Sequence, residues 1–318
     1  MNPASATLVT GASGFIGQRL LRPCDRALVR TTCGLQNAVI GNLLDPASLA
    51  AACHGVDTIL HTAGYAHAFP SASLDAHWRI NYEGTRNLLM AAGEAGVRKF
   101  VFLSSVKAMA EPGSLCVEED WPGEPASAYG KAKRAAEDAV LEAGVRYGMH
   151  VVNLRLAMVY GRGGRGNLGR MAQGIAAGWF PPLPETSNRR SLIHVHDVVE
   201  AVRLVAMQPV ANGRTYIVAD ARAYSGREIY DTLRAVLGKP PARCRVPEWL
   251  LRSGGCVGDI LGLLSCRPFP FNSKIVDRLL GSACYRPDRI GKELGWCAKF
   301  NLMDGAREML SASCRAKE

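Results

Sequence analysis

The fold class this chain predicts is α/β: a doubly wound parallel sheet followed by a smaller, mostly helical portion. Three features point there. Short apolar runs alternate with helical patterns through the first 160 residues, three glycines stand directly after the first run, and the texture turns to glycine and proline after Tyr160. The runs are TLVT (7–10), ALV (27–29), AVI (38–40), TILHT (58–62), KFVFLSS (99–105) and HVVNLRL (150–156). Between them lie PASLAAAC, the segment from about Leu74 to Ala95, and YGKAKRAAEDAVLEAGVRYG. Strands that alternate with helices build βαβ units, because a parallel crossover needs a helix to bring the chain back. SLIHVHDVVEAVRLVAM then reads as the end of a strand and a helix, RTYIVAD as a further strand, and the chain from about Tyr224 as mostly helical, with PPARCRVP as a linker. The expected division is therefore 1–160, with 191–222 returning to it, against 161–190 and 223–318.

Composition narrows the function classes. At 318 residues, with 48% hydrophobic and 21% charged residues, the chain has ordinary globular usage and length for a large core. No window holds the ~18 consecutive apolar residues of a membrane span. Residues 249–264 come closest, but Arg252, Asp259 and several glycines interrupt them. With no basic and then apolar leader ahead of a first strand at about Ala6, the expected location is cytoplasmic. The ten cysteines are scattered from Cys24 to Cys314 in no CxxC pair, which predicts buried reduced thiols. A formal charge of +10 and the stretch GRGGRG (161–166) raise nucleic acid as a partner. The stretch is short and lacks interleaved aromatics, and a basic balance equally suits a small anionic substrate, so no nucleic-acid partner is expected.

GASGFIG places Gly11, Gly14 and Gly17 between the first strand and the first helix. Such a turn lets backbone approach a pyrophosphate closely and offers it N–H groups, so it predicts a dinucleotide pocket of Rossmann type. Ser13, Phe15 and Ile16 belong to the same turn. About 20 positions after the first glycine, an acidic side chain that meets the ribose hydroxyls selects NAD. Here stands Arg30, which pairs with a 2′-phosphate, so NADP(H) is favoured with NAD(H) open. Between Gly17 and Arg26 there is room for about two helical turns, roughly 12 Å, and Pro23 limits them further.

The helix expected from Ala128 carries Tyr129 and Lys133 four positions apart, on one face. A tyrosine titrates near pH ~10, and a neighbouring ammonium favours the phenolate; lowering that value by ~3 units corresponds to ~4 kcal/mol. Ser105, at the end of KFVFLSS, is placed to hydrogen-bond the same substrate oxygen, with Ser104 as the alternative register. His194 and His196, two apart, would share one face of an extended strand, but no cysteine or carboxylate pattern supports a metal.

With these motifs the sequence resembles the extended short-chain dehydrogenase/reductases, in particular the NAD-dependent epimerase/dehydratase group acting on nucleotide sugars. The resemblance runs through GASGFIG, DTILHTAG (57–64), NYEGT (81–85), FVFLSS (100–105), YGKAK (129–133), VYG (159–161), GNL (166–168), RRSLIHVHD (189–197) and YRPDRIGKELGW (285–296). It implies that Tyr129 is the proton donor or acceptor, that Lys133 binds the nicotinamide ribose, and that Ser105 positions the substrate oxygen. It further implies cofactor contacts at Asn42, Leu43 and Ala63, nucleotide contacts at Asn167 and Leu168, a pyrophosphate held by Arg190 and Arg278, and Tyr285 beside the sugar. The 4,6-dehydratases of this group carry an Asp-Glu pair where Val106 and Lys107 stand here, so dehydration is not expected. The implied activity is at C4 of a UDP-sugar: reduction of a 4-keto sugar for surface polysaccharide, or 4-epimerisation. A non-catalytic dinucleotide sensor and a reductase of hydrophobic ketones are the rivals. The resemblance also implies a homodimer through the helices from about Asn81 and from Tyr129.

Overall fold

The computed structural model describes residues 6–31, 34–65, 74–164, 166–242, 246–265 and 271–314. The chain runs β1 (Thr7–Thr10), α1 (Gly17–Leu20), β2 (Arg26–Val29), β3 (Ala38–Ile40), α2 (Pro46–Cys53) and β4 (Thr58–His61). Next come α3 (Leu74–His77), a π-helical turn at Trp78–Glu83, α4 (Gly84–Glu94), β5 (Lys99–Ser105), β6 (Cys116–Val117), α5 (Ala128–Tyr147), β7 (His150–Leu156) and β8 (Met158–Tyr160). The remainder is α6 (Asn167–Ala177), β9 (Leu192–His194), α7 (Val195–Met207), β10 (Arg214–Val218), α8 (Gly226–Val236), α9 (Glu248–Leu264), α10 (Ser273–Leu280), β11 (Cys284–Tyr285), α11 (Asp288–Leu294) and α12 (Leu302–Cys314).

Seven parallel strands form the main sheet in the order β10-β7-β5-β4-β1-β2-β3. Alternate side chains of each strand feed two cores. Val9, Val29, Leu60, Val101 and Val152 meet Val198 and Val202 of α7 on one face. Leu8, Leu28, Ile59, Phe100 and Val151 meet α2, α4 and α5 on the other. This is the doubly wound arrangement that the alternating runs predict, because a strand buried on both faces reads as a continuous apolar run. A third core, with Leu168, Met171, Tyr230, Leu233, Leu251 and Val276, lies in the later portion. Helix ends are set by local chemistry: Asp45 accepts from the Ala47 N–H at the start of α2, and Ser127 accepts from the Gly130 N–H at 3.0 Å at the start of α5. Gly148, with φ of 65°, closes α5 in the left-handed conformation that suits glycine.

Four expectations are corrected. The first helix is a single turn, not two: Leu21 is already extended, and Asp25 accepts from the Arg22 N–H to close the turn that holds Pro23. The chain after Ser191 does not go straight back to the main sheet, since β9 pairs with β8 in a separate two-stranded sheet and only β10 joins β7. His194 ends β9 whereas His196 already lies in α7, so the two do not share a strand face. The thiols are not uniformly buried and reduced. Cys116 and Cys284 stand opposite each other in the parallel pair β6 and β11, with Cα atoms 4.5 Å apart, and form a disulfide. Cys24, Cys256 and Cys297 are exposed, and Cys53 is a buried thiol. Cys33, Cys244 and Cys266 lie outside the described residues. The GRGGRG stretch folds back on the opening turn: Arg19 donates to the Arg162 carbonyl, and Gly164 lies against the Phe15 ring.

Candidate active site

The opening turn is built on bare backbone. Gly11 has φ of 66°, and a Cβ there would lie 2.8 Å from the Ala63 nitrogen, so the loops that follow β1 and β4 approach this closely only with glycine at position 11. Gly14 donates its N–H to the Gly11 carbonyl at 2.8 Å. Ser13 and Gly14 are exposed, Phe15 lies under the Arg19 guanidinium at 4.6 Å, and Ile16 packs toward the core. Because α1 is one turn long, the anion-binding capacity rests on the N–H groups of this turn more than on a helix dipole, which sums over aligned peptides. Arg30 is exposed one residue beyond β2. Asn42 caps its own turn by accepting from the Leu44 N–H at 3.0 Å, and Leu43 packs against the α2/α4 core.

Ser105, Tyr129 and Lys133 come together where β5 ends and α5 begins. The Ser105 hydroxyl hydrogen-bonds the Tyr129 phenol. Ser104, the alternative register, points the other way and donates to buried Glu137, which Arg155 also clasps at 2.8 Å. Burial raises the Tyr129 phenol above its usual value, with the Ser105 hydrogen bond acting in the opposite sense. The lowering expected from Lys133 is therefore not present in the protein alone. Lys133 is buried, its Nζ donates to the Leu103 carbonyl at 2.8 Å, and it sits 4.4 Å from the Phe102 ring centre. Burial pushes its ammonium down to about 8, against a smaller opposing effect of Glu137. One hydrogen bond leaves two of the three donors of an ammonium for another group.

A second layer, unread in the sequence, steadies this corner. Buried Asn81 sits in the π-helical turn, accepts from the Tyr65 N–H at 2.7 Å and donates to the Tyr65 carbonyl at 3.0 Å. His61 is fully buried between Thr10 Oγ1 at 2.6 Å and Thr85 Oγ1 at 2.9 Å. Thr85 donates to the Asn81 carbonyl, so the network assigns the proton of His61 to Nε2 and makes Thr10 the donor to Nδ1. Burial lowers this imidazole to about 3, so it stays neutral. The His77 ring meets Tyr129 edge-on with centroids 5.7 Å apart, and its Nδ1 donates to the Tyr65 carbonyl at 3.2 Å. A Cβ on Gly64 would stand 3.0 Å from Asn81 Oδ1 and 3.5 Å from Lys133 Nζ. Gly64 therefore has no room for a side chain, and it stands at the same C-terminal edge of the parallel strands β1 and β4 as the glycine turn; an ammonium and bare backbone N–H groups gathered at one sheet edge fit a dinucleotide. The available signals were a histidine at the end of an otherwise apolar strand and an Asn directly before an aromatic, Tyr82.

On the substrate side, Arg190 and Arg278 are brought together, but through backbone. Arg190 Nη1 donates to the Arg278 carbonyl and, at 2.7 Å, to that of Gly281. Tyr285 is buried, lies within electrostatic reach of Arg190 and Glu111, and is pushed up to about 12 by burial. Asn167 is exposed at the start of α6, whereas Leu168 is turned into the third core. Lys107 pairs with Glu111 at 2.9 Å just after the serine strand, where a dehydratase would hold two acids. A cleft of about 460 Å³ lies beside the disulfide, lined by Arg189, Asp220, Arg222, Tyr285 and Arg286. It shares Tyr285 with this site but none of Ser105, Tyr129 or Lys133. Among the described residues no group of three or more His, Cys, Asp or Glu is arranged to hold a metal.

The sequence profile of the NAD dependent epimerase/dehydratase family matches residues 7–219. A UDP-glucose 4-epimerase of Vibrio cholerae is 26% identical, over 97% of this chain and 95% of its own. A ceramide reductase of Caulobacter vibrioides is 30% identical, over 93% of this chain and 90% of its own. Among solved structures, MoeE5 in complex with UDP-glucuronic acid and NAD superposes with a TM-score of 0.76 at 23% identity, covering 98% of this chain and 100% of that one.

Proposed function

Because the chain belongs to the NAD dependent epimerase/dehydratase family, we propose that it is an oxidoreductase acting at C4 of a UDP-sugar, with reduction of a 4-keto sugar by NADPH as its net reaction. The observation that supports this most is the grouping of Ser105, Tyr129 and buried Lys133 at one end of the sheet. A bound nicotinamide supplies the hydride. Ser105 holds the sugar oxygen, and Tyr129 gives it a proton. A protonated phenol is the state a donor needs. Lys133 then steadies the phenolate left behind. Arg30, free of an acidic neighbour in sequence at the end of β2, supports a 2′-phosphate and hence NADP(H). The ion pair of Lys107 with Glu111 argues against elimination of water.

Residues 1–160 with 191–222 hold the cofactor in this reading, and the rest forms the sugar side, with Asn167, Arg278 and Tyr285 as contacts. The two copies of a homodimer would meet through α4 and α5, which the solution mass tests. Epimerisation uses the same groups and would show as tightly held NAD with no net consumption. A second reading, reduction of a hydrophobic ketone, is favoured by the 30% identity to a ceramide reductase and by the engagement of Arg190 with two carbonyls. UDP separates the two, since it stabilises the protein thermally only if a pyrophosphate site exists.

The decisive experiment identifies the nucleotide that copurifies and follows its oxidation with a UDP-4-keto sugar. Tyr129→Phe should lower turnover by about 100-fold or more. Unchanged output of that variant would leave a dinucleotide sensor as the account.

A further inference from the structure

The disulfide joins two sides of the site. Cys116 closes the segment that leaves Ser105, whose Oγ accepts from the Lys107 N–H at 3.2 Å, and Cys284 directly precedes Tyr285. The two sides are anchored unequally. β11 is braced by residues 189–191: Ala283 donates its N–H to the Arg189 carbonyl at 2.7 Å, Ser191 donates its own to the Ala283 carbonyl at 2.9 Å, and the Tyr285 N–H donates to Ser191 Oγ at 2.9 Å. β6 is only two residues long, and residues 110–115 ahead of it form turns and bends without a helix or strand. Arg189 holds the Ser114 carbonyl at 3.0 Å, and Glu111 pairs with Lys107 while standing within electrostatic reach of Tyr285. A stretch with so few fixed backbone groups opens locally once a covalent tie is lost.

That tie is within reach of solvent. Both cysteines line the cleft of about 460 Å³, and Cys116, half-buried, also lines a second of about 330 Å³ beside Leu115 and Trp121. An accessible disulfide is the labile kind. Cys24, Cys256 and Cys297 are exposed free thiols, which persist in reducing surroundings, where a disulfide is exchanged and not permanent. The β6–β11 register sets Cys116 directly opposite Cys284, so reoxidation restores the same pair. We propose that Cys116–Cys284 is a thiol-exchange site, opened by a small thiol reductant, that clasps the wall between Ser105 and Tyr285. A reductant thiolate attacks the Cys116 sulfur, and the Cys284 thiolate leaves and takes up a proton. A second reductant thiolate attacks the reductant sulfur of this mixed disulfide, and the Cys116 thiolate leaves and is protonated in turn. Two reductant thiols are thereby oxidised to one disulfide while the cystine is reduced to two cysteines. The inference goes beyond the catalytic reading and stands whichever substrate is reduced.

The test treats the folded full chain with glutathione, then with glutathione disulfide, and counts iodoacetamide adducts by mass. Glutathione should add two adducts, mapping to Cys116 and Cys284, and its disulfide should remove them. Amide hydrogen exchange over 109–117 should quicken by about tenfold or more in the reduced protein and in the double variant Cys116→Ser, Cys284→Ser, while 7–20 around the glycine turn should exchange as before. The double variant should not respond to thiol. A pair that resists glutathione in the folded protein is a permanent staple, and one that stays as thiols under glutathione disulfide is no clasp; either result overturns the proposal. So does unaltered exchange over 109–117 in the reduced wild type.

Discussion

Replacing Lys133 by Met exposes what its burial costs. The ammonium falls from 10.5 to about 8; at ~1.4 kcal/mol for each pH unit that interval corresponds to about 3 kcal/mol. Between pH 8 and 10.5 the unfolded chain keeps a proton that the folded chain has shed, so this lysine makes stability rise with pH across that window. Below pH 8 both states are protonated and the full cost is present. The Met side chain fills similar space without titrating. Loss of the bond to the Leu103 carbonyl shifts the variant by a constant, and every other group titrates in both proteins. The measurement is urea unfolding of both proteins, without dinucleotide, at intervals from pH 7 to 10.5. The stability of the wild type relative to Lys133→Met should improve by about 3 kcal/mol over that range, chiefly above pH 8. Parallel curves would refute the burial argument and with it the view that a dinucleotide must supply partners to this ammonium.

Gly64→Ala puts a Cβ against Asn81 Oδ1 and near Lys133 Nζ; kcat/KM should drop by about tenfold or more while circular dichroism stays native. His61 is held neutral down to about 3, so the unfolded chain gains its proton first and the wild type loses stability as pH falls from 6.5 toward 3. A His61→Asn variant should show a flatter acid limb in thermal unfolding. Arg278→Met should abolish thermal stabilisation by UDP, and retained stabilisation would remove that arginine from the pyrophosphate site.

The strands were legible because those inside the sheet are buried on both faces and therefore read as uninterrupted apolar runs; β1, β5 and β7 fall on TLVT, KFVFLSS and HVVNLRL, and the edge strand β3 falls on AVI although its Ile40 is exposed. The Tyr129 and Lys133 pair was legible because helical spacing is local. Distant relations were not. Cys116 and Cys284 are 168 positions apart, and nothing in either neighbourhood announces that β6 and β11 pair. The direction of the Tyr129 shift was misjudged since an i,i+4 lysine can satisfy itself on a strand carbonyl, here that of Leu103. Leu168 shows the same limit: a motif position implies a contact, but only packing decides which way the side chain turns. His196 moved from strand to helix because β9 stops at His194, one residue before the helix begins.

The wide turn at Trp78–Glu83 has a consequence for how this protein tolerates length changes. A π turn accommodates one more residue than a regular turn, so the segments before and after it are out of phase by about 100°. Deleting one residue there would let the helix wind regularly, a gain for its backbone, yet it would rotate His77 away from the Tyr129 ring while Asn81 stayed with Tyr65. The irregularity thus works like a spacer in a lock: shortening it yields a better helix and a misaligned keyhole.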